Sequence, residues 1–287
     1  MTDSTGVDGE ARRGDLAGRV ALVTGASRGI GAAIAERFAA AGAAVAVTAR
    51  TVDAGTSPLA GTIVETVERI RAAGGTAVAV AADVSRADER ERLVAETVAS
   101  LGPIDVLVSN AAVTYFLPVT EFTAKRLQLM FDVQVAAPLH LAQLVLPGMT
   151  GKGMGWILNI SSGAARHPAI PPDPARHGGG TVYGMCKAAV ERFSTGLASE
   201  VYADNVAVNA LSPNRVVPTP GTIFHHLVRP DDHEQVVEPP AVMAEAALSL
   251  CSGPPRSLTG RIAYSQDLLN ELGITIDPAG TSPVGAP

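Results

Sequence analysis

Residues 19–37 read RVALVTGASRGIGAAIAER, and this stretch predicts the fold. Residues 20–23 are a short apolar run typical of a buried parallel strand, and the alanine-rich part at the end predicts a helix packed on that strand. Between them, Gly25, Gly29 and Gly31 remove side chains where the chain turns sharply, where backbone approaches a ligand, and where helix meets strand. The first N–H groups of the helix face this turn and suit a pyrophosphate. The stretch therefore predicts a bound dinucleotide, although other strand-to-helix corners also use glycine.

The composition bounds the fold class and the partners. At 287 residues, with 47% hydrophobic and 17% charged side chains, the chain can bury the core of one large domain. Its net charge of −6 argues against nucleic acid or an anionic membrane as a partner. Cys186 and Cys251 form no disulfide or zinc pattern, which suits a reducing compartment, and the polar N-terminal segment is not a secretory signal. The longest apolar stretch, residues 133–146, is interrupted by polar side chains and is too short to span a bilayer. We therefore expect a cytoplasmic protein.

Short apolar strands alternate with helical stretches along most of the chain. Strands are predicted at residues 19–24, 44–48, 76–81, 104–109, 156–161, 206–211 and 261–265. Helices are predicted at residues 30–41, 63–73, 86–101, 125–146, 182–202 and 241–251. Repeated strand–helix units with apolar strands predict an α/β fold, with a doubly wound parallel sheet of seven strands in a single domain at residues 18–276. The ends of the chain predict flexible tails at residues 1–17 and 277–287.

Residues that follow the predicted strands define the expected ligand site, because ligands of open parallel sheets bind beyond the carboxyl ends of the strands. Asp83 follows the third strand, where its carboxylate either accepts a hydrogen bond from an adenine amino group or serves the start of the next helix. Asn110 and Ala111 follow the fourth strand in SNAA, whose small side chains let a nucleoside lie against the backbone.

The end of the second strand indicates which nucleotide binds. An NAD site has an acidic residue there to hold the ribose 2′-hydroxyl, whereas this chain has Arg50. Arg28, inside the glycine turn, brings a second guanidinium to the same region, and two arginines suit a 2′-phosphate. The alternative is that both are solvated surface arginines. The pattern favours NADP(H) over NAD(H).

A tyrosine and a lysine four residues apart predict the chemical site. Tyr183 and Lys187, in YGMCK, share one face if this segment is helical. Upstream, a strand ends in Ser161 and Ser162, and a hydroxyl there can hold a carbonyl oxygen together with the phenol. The lysine ammonium, with an oxidised nicotinamide nearby, is expected to lower the tyrosine pKa from about 10. The tyrosine then serves as general acid in reduction and general base in oxidation.

Taken together, these motifs resemble those of the short-chain dehydrogenase/reductase family: TGASRGIG, Asp83-Val84, SNAA, NISS and YGMCK, in this order. The resemblance implies a Rossmann fold and hydride transfer between a nicotinamide and a carbonyl or alcohol. It implies that Tyr183 donates or accepts the proton and that Lys187 lowers the tyrosine pKa and binds the nicotinamide ribose. Ser162, with Ser161 as the alternative, orients the substrate oxygen. The expected cofactor contacts are Gly25, Ser27, Arg28, Gly29, Ile30, Gly31, Arg50, Asp83, Val84, Asn110, Ala111, Tyr183, Lys187, Val216 and Thr219.

Several positions depart from the family pattern. Gln134 stands where the family has an asparagine that supports a water chain to the lysine, so we expect Gln134 in the catalytic group with a rearranged or slower proton relay. Ala112 and Asn214 each replace a glycine, and asparagine tolerates a positive φ better than most residues. Thr219 lies one residue later than the threonine expected to contact the carboxamide.

Two irregular segments flank the predicted site. Residues 163–182 are rich in proline and glycine, which suits a lid or an oligomer contact. The alternative is a disordered surface loop. Neither His167 nor His177 is expected to bind a metal, because a mobile loop holds ligands poorly. Residues 214–238 leave the sixth strand above the expected nicotinamide. The apolar wall of the pocket is expected from Tyr115, Phe116, Ile223, Phe224 and Leu227, with His225 or His226 as a polar contact.

These observations predict a small, mostly apolar ketone or secondary alcohol as substrate, no metal, and a homodimer or homotetramer. One alternative is a dehydrogenase of a dihydrodiol or ring alcohol that uses NAD(P)+. The other is a dinucleotide-binding scaffold or sensor without turnover.

Overall fold

Seven parallel strands form one sheet in the computed structural model, which describes residues 15–55, 57–171, 179–224, 226–228 and 237–276. The strands are β1 (Val20–Thr24), β2 (Ala44–Ala49), β3 (Thr76–Ala81), β4 (Val106–Ser109), β5 (Gly155–Ile160), β6 (Val206–Ser212) and β7 (Ile262–Tyr264). Their order is β3-β2-β1-β4-β5-β6-β7, and every neighbouring pair runs parallel. The predicted α/β fold with a doubly wound sheet is confirmed. The order reverses between β1 and β4, and ligands of such sheets bind beyond that point.

Helices cover both faces of the sheet. They are α1 (Gly29–Ala40), α2 (Ile63–Ala72), α3 (Ala87–Leu101), α4 (Ala124–Phe131), α5 (Ala137–Lys152), α6 (Thr181–Glu200), α7 (Pro220–Phe224), α8 (Pro240–Cys251) and α9 (Ser265–Glu271). The last strand was predicted to reach Ser265, but it ends at Tyr264 because Ser265 begins α9. Both α7 and α9 are too short to show a helical period in the sequence. The predicted tails lie almost wholly outside the described residues.

A π-helical turn, Asp132–Ala136, joins α4 and α5 into one continuous helix of 29 residues. The sequence predicted a shorter helix at residues 125–146 and an apolar stretch too short for a membrane span. That length argument is wrong, because this is the one helix in the described part of the chain that is long and apolar enough, by length and composition, to cross a membrane. The mean hydropathy of its most apolar 18-residue window is 1.5. Core helices meet the same criteria, and here Leu141, Val145 and Met149 are buried in the core.

The core has two layers, one on each side of the sheet. Val23 of β1 faces the layer built with α1, α2 and α8, whereas its neighbour Leu22 faces the layer built with α3, α5 and α6. On the first side α1 and α8 pack together, and Arg37 of α1 bonds to Glu245 of α8 at 2.6 Å, although the two residues are 208 positions apart. The far end of the chain therefore covers the helix that begins at the glycine turn.

Candidate active site

The glycine turn between β1 and α1 is packed so closely that side chains would not fit. Gly25 and Gly29 have φ values of +65° and +56°, in the left-handed region that favours glycine. A Cβ atom at Gly25 would lie 2.8 Å from the Cα of Ala111, and one at Gly31 would collide with the side-chain amide of Asn110. The turn therefore presents bare backbone beside the first N–H groups of α1, and this cradle fits a dinucleotide pyrophosphate.

Asn110 braces this turn from the end of β4. Its Nδ2 donates to the carbonyl oxygens of Thr24 at 2.9 Å and Gly25 at 3.1 Å. The backbone N–H groups of Asn110 and Ala111 donate in turn to the Thr24 hydroxyl, at 3.0 and 3.1 Å. The predicted contact residues at the ends of β1 and β4 are thus fixed to each other.

A cavity of about 230 Å³ opens over the carboxyl ends of β1, β2, β3 and β4. Eight predicted cofactor residues line it: Gly25, Ser27, Arg28, Arg50, Asp83, Val84, Asn110 and Ala111. The sequence did not single out Thr51, Ser57 and Leu59, which also line it. Gly29, Ile30 and Gly31 form the first turn of α1 instead. The position of the cavity over the strand ends and the residues that line it fit the adenosine half of a dinucleotide.

Asp83 holds the turn before α3 and does not cap that helix, and its expected contact with an adenine stays a prediction. The side chain is half-buried in the cavity wall, where it can meet an adenine, and its Oδ1 accepts from the Ser85 backbone N–H at 3.0 Å and hydroxyl at 2.8 Å. These bonds shape the turn before α3. One carboxylate oxygen is therefore used by the turn, which leaves the other for a ligand.

The two arginines differ in their surroundings. Arg50 is exposed at the cavity rim. The Arg28 guanidinium donates to Ser57 Oγ at 3.2 Å, Thr51 Oγ1 at 3.1 Å and the Gly61 carbonyl at 2.7 Å. Arg28 is therefore not a solvated surface arginine, and burial lowers its pKa.

Ser162, Tyr183 and Lys187 come together at the ends of β5 and the start of α6. The Tyr183 phenol is hydrogen-bonded to the Ser162 side chain. The buried Lys187 Nζ lies 5.6 Å from the centre of the Tyr183 ring and donates to the Ile160 carbonyl at 2.8 Å. Ser161, the alternative to Ser162, is buried and donates to Glu191 at 2.7 Å. The geometry therefore favours Ser162 as the hydroxyl partner of the phenol.

Burial dominates the pKa values of this cluster. It raises the pKa of Tyr183, and the hydrogen bond from Ser162 opposes that shift only in part. It lowers the pKa of Lys187 to about 8. The expected lowering of the tyrosine pKa by Lys187 also involves an oxidised nicotinamide and stays a prediction; in this structure burial outweighs the other influences on the phenol. What the cluster offers is a protonated phenol beside a hydroxyl.

Gln134 lies in the π-helical turn and is 1% exposed. Its Nε2 donates to the Val113 carbonyl at 2.8 Å, just beyond the SNAA segment, whereas its Oε1 is buried without a partner among the described residues. The π-helical turn packs against α6, which carries Tyr183. Gln134 therefore fixes the loop after β4, and its free acceptor is available to a water molecule.

Asn214 preserves the turn after β6 in an unexpected way. It does not adopt a positive φ. Instead its Oδ1 accepts from the backbone N–H groups of Gln266 at 2.8 Å and Asp267 at 3.3 Å, which caps α9.

The buried Glu238 accepts from the Ser265 hydroxyl at 2.6 Å and from the Arg215 N–H at 3.3 Å. Burial raises the pKa of Glu238. The sequence offered no signal for this network, which joins residues far apart in the chain.

The segment after β6 reaches back to the glycine turn. The γ-methyl of Thr219 lies 2.8 Å from the position of a Cβ at Gly29, and its Oγ1 bonds to Thr222, at the start of α7. Val216 pairs with Val237 in an isolated β-bridge. The structure therefore brings Thr219 beside the predicted pyrophosphate site.

The structure describes all five residues of the expected apolar wall, and two of them are mainly exposed. The Phe116 ring meets the Tyr183 ring edge-on at a centroid distance of 5.7 Å, whereas Ile223 and Phe224 are 56% and 55% exposed. His167 is exposed, and His177 and His225 lie outside the described residues. Within the described ranges, no group of three or more His, Cys, Asp or Glu side chains could hold a metal ion.

Comparison with known sequences identifies the family. The family model described as short chain dehydrogenase matches residues 19–223. An uncharacterised oxidoreductase of Methylorubrum extorquens is 42% identical over 207 residues, which cover 72% of this chain and 76% of that protein. The chain spans only about half to two thirds of several other curated relatives, including 65% of a short chain dehydrogenase of Pseudocercospora fijiensis.

Solved structures agree with the sequence comparison. A short chain dehydrogenase of Mycobacterium thermoresistibile superposes with a TM-score of 0.78 at 32% identity, over 92% of this chain and 91% of that one. A 3-oxoacyl (acyl-carrier-protein) reductase of Agrobacterium tumefaciens with NADP bound gives a TM-score of 0.72 at 31% identity, over 88% and 94% of the two chains. The chain therefore belongs to the short-chain dehydrogenase family of oxidoreductases.

Proposed function

We propose that the chain is an NADP(H)-dependent oxidoreductase that interconverts a ketone and a secondary alcohol. The observation that carries this proposal is the bonded pair of Tyr183 and Ser162 with the Lys187 ammonium 5.6 Å from the phenol ring. A phenol and a hydroxyl directed at one point can bind one carbonyl oxygen, and the phenol can give that oxygen a proton.

The glycine cradle and the cavity would hold the dinucleotide, with Asp83 and Val84 beside the adenine and Asn110 and Ala111 beside the nucleoside. When bound, the nicotinamide supplies or accepts the hydride. Support for NADP(H) comes from Arg28 and Arg50 in the cavity lining and from relatives such as the A. tumefaciens reductase, whose structure contains NADP.

The side chains around the phenol have different roles in this proposal. Ser162 orients the substrate oxygen, and Tyr183 donates the proton in reduction and accepts it in oxidation. Lys187 holds its positive charge beneath the phenol, where it favours the phenolate that remains after proton donation. Gln134 keeps the loop after β4 in place. Val216 and Thr219 lie on the segment that would cover the nicotinamide end.

The substrate we propose is small and mostly apolar, because Phe116 packs edge-on against the Tyr183 ring and the segment expected to cover the nicotinamide end carries the exposed apolar side chains of Ile223 and Phe224. The composition supports a cytoplasmic location without nucleic-acid or membrane partners. A homodimer or homotetramer is proposed from the family resemblance.

A second candidate is a dinucleotide-binding protein without turnover. Gln134 in place of the usual asparagine favours it, and so does the burial that raises the pKa of Tyr183, because it makes the phenol a weaker proton donor. The two candidates share the cofactor site and differ only in chemistry.

NADPH oxidation with a panel of ketones separates them. We expect turnover by the wild type, a loss of about 10²–10⁴-fold in kcat for Tyr183→Phe, and wild-type rates for the control Tyr202→Phe, because Tyr202 is an exposed tyrosine at the end of the same helix region. NADPH binding without consumption across the panel, also with alcohols and NADP+, would favour the non-catalytic candidate. Equal rates for Tyr183→Phe and wild type would refute the assigned proton donor.

A further inference from the structure

Glu238 is a buried carboxylate outside the group of side chains assigned to the reaction. It lies just before α8 and is 4% exposed. Its Oε1 accepts from the Ser265 hydroxyl at 2.6 Å, and its Oε2 accepts from the Arg215 backbone N–H at 3.3 Å. These bonds offset part of the cost of burying a carboxylate. An apolar side chain would avoid that cost but would leave both donors without this acceptor.

Three segments of the chain meet at Glu238. Its backbone N–H donates to the Val216 carbonyl at 3.1 Å, and the neighbouring Val237 pairs with Val216 in the isolated β-bridge. Ser265, at the start of α9, donates to the carboxylate and accepts from the Asn214 N–H at 3.2 Å. Glu238 therefore ties the beginning of the segment after β6 to the start of α9.

The segment after β6 continues from this tie to the glycine turn. Val217 is 3% exposed, and its carbonyl accepts from the Thr222 hydroxyl at 2.8 Å. That hydroxyl accepts in turn from the Thr219 N–H at 2.8 Å. The γ-methyl of Thr219 lies 2.8 Å from the position of a Cβ at Gly29. A continuous series of bonds and contacts thus connects Glu238 to the glycine turn.

We propose that Glu238 is a positioning residue: its carboxylate fixes residues 214–219 over the nicotinamide end of the bound dinucleotide. This inference rests on the proposed function. Glu238 acts through the backbone of the segment after β6, because its own polar atoms bond to Ser265 and Arg215. A site holds its ligand in a productive geometry only when the residues that line it are themselves fixed.

Glu238→Gln tests this role with a small change of shape. An amide offers one acceptor oxygen where the carboxylate offers two, so the variant removes one of the two bonds. We expect NADPH to bind about tenfold more weakly, the loss expected for one hydrogen bond to a charged group, and kcat for ketone reduction to fall. Adenosine 2′,5′-bisphosphate lacks the nicotinamide half, so its dissociation constant should change by less than about twofold.

Ser265→Ala is the second variant. It removes a donor to the carboxylate and leaves Glu238 in place, so it tests the same role if Glu238→Gln does not fold. We expect the same selective loss of NADPH affinity. Fluorescence titration measures NADPH binding, and competition measures the bisphosphate.

Glu245→Gln is the matched control. Glu245 is a second buried glutamate, 8% exposed, but it pairs with Arg37 on the side of α1 and α8. This variant should unfold at a lower temperature and keep the wild-type dissociation constants and kcat. If Glu238→Gln behaves like the control, or weakens NADPH and the bisphosphate equally, the positioning role is refuted.

The same measurements separate this role from the proposed function. If the wild type binds NADPH but reduces no ketone and oxidises no alcohol, the proposed function is wrong. A selective loss of NADPH affinity in Glu238→Gln would still support the positioning role in that case. If the wild type turns over and the variants keep its NADPH affinity and kcat, only the positioning role is refuted.

Discussion

Asn214→Ala should destabilise the fold by removing the cap of α9. The Asn214 Oδ1 accepts from Gln266 N–H at 2.8 Å and Asp267 N–H at 3.3 Å, two groups that have no partner within the helix. α9 has only seven residues, so it depends on this cap and on the burial of Leu268 and Leu269. The N-cap residue itself, Tyr264, makes no side-chain cap bond, so Asn214 caps the helix from a distant segment. Losing a capping side chain lowers the free energy of unfolding by about 1 kcal/mol, which for a chain of this size lowers Tm by about 2–4 °C.

Urea unfolding followed by circular dichroism measures this loss, and amide hydrogen exchange locates it. We expect faster exchange at Gln266 and Asp267 in the variant. The matched control is Asn270→Ala, which removes an exposed asparagine from the same helix and should cost less than about 0.5 kcal/mol. The capping argument is refuted if Asn214→Ala unfolds at the wild-type urea concentration, or if both variants lose the same stability.

Two further predictions concern the glycine turn and the lysine. Gly25→Ala and Gly74→Ala both place a side chain at a positive φ, but only the Cβ at Gly25 meets backbone, 2.8 Å from the Cα of Ala111. We therefore expect both variants to lose stability and only Gly25→Ala to lose cofactor affinity, by more than about tenfold as measured by fluorescence titration; equal affinities would contradict the cradle. With the Lys187 pKa lowered to about 8, ketone reduction should decline above that pH as the ammonium is lost. In the unfolded chain Lys187 keeps this proton up to about pH 10.4. The free energy of unfolding of the wild type should therefore rise between pH 8 and 10, and that of Lys187→Met should change less. A reduction rate that stays level to pH 10 would contradict the lowered pKa.

The fold was readable from the sequence because its signals are local. Apolar runs such as that of β1 and the glycines of the next turn each specify their own geometry. The π-helical turn around Gln134 was not predicted, since such a turn is rare and occurs as a single turn inside a longer helix. The short helix α9 also escaped, because seven residues cannot show a period.

The site was predictable where a motif fixes the residue and less so where tertiary contacts decide. Tyr183, Lys187 and Ser162 are brought together as their motifs indicated. The direction of the Tyr183 pKa shift was not foreseen, because burial depends on the whole fold. The partners of Arg28 were missed as well, although the capping box of Thr62 and Glu65, which fixes the start of α2, implied a long connection after β2.

The pairing of Arg37 with Glu245 has a consequence for biosynthesis. The apolar side of α1, with Ile34 and Phe38, leaves the ribosome early, whereas the helix that covers it follows 208 residues later. At about 5–20 residues per second, that interval lasts about 10–40 s. During this time the nascent chain exposes a hydrophobic surface to which chaperones, or other copies of the chain, can bind. A polypeptide that ends before residue 240 lacks α8, so the apolar face of α1 stays exposed.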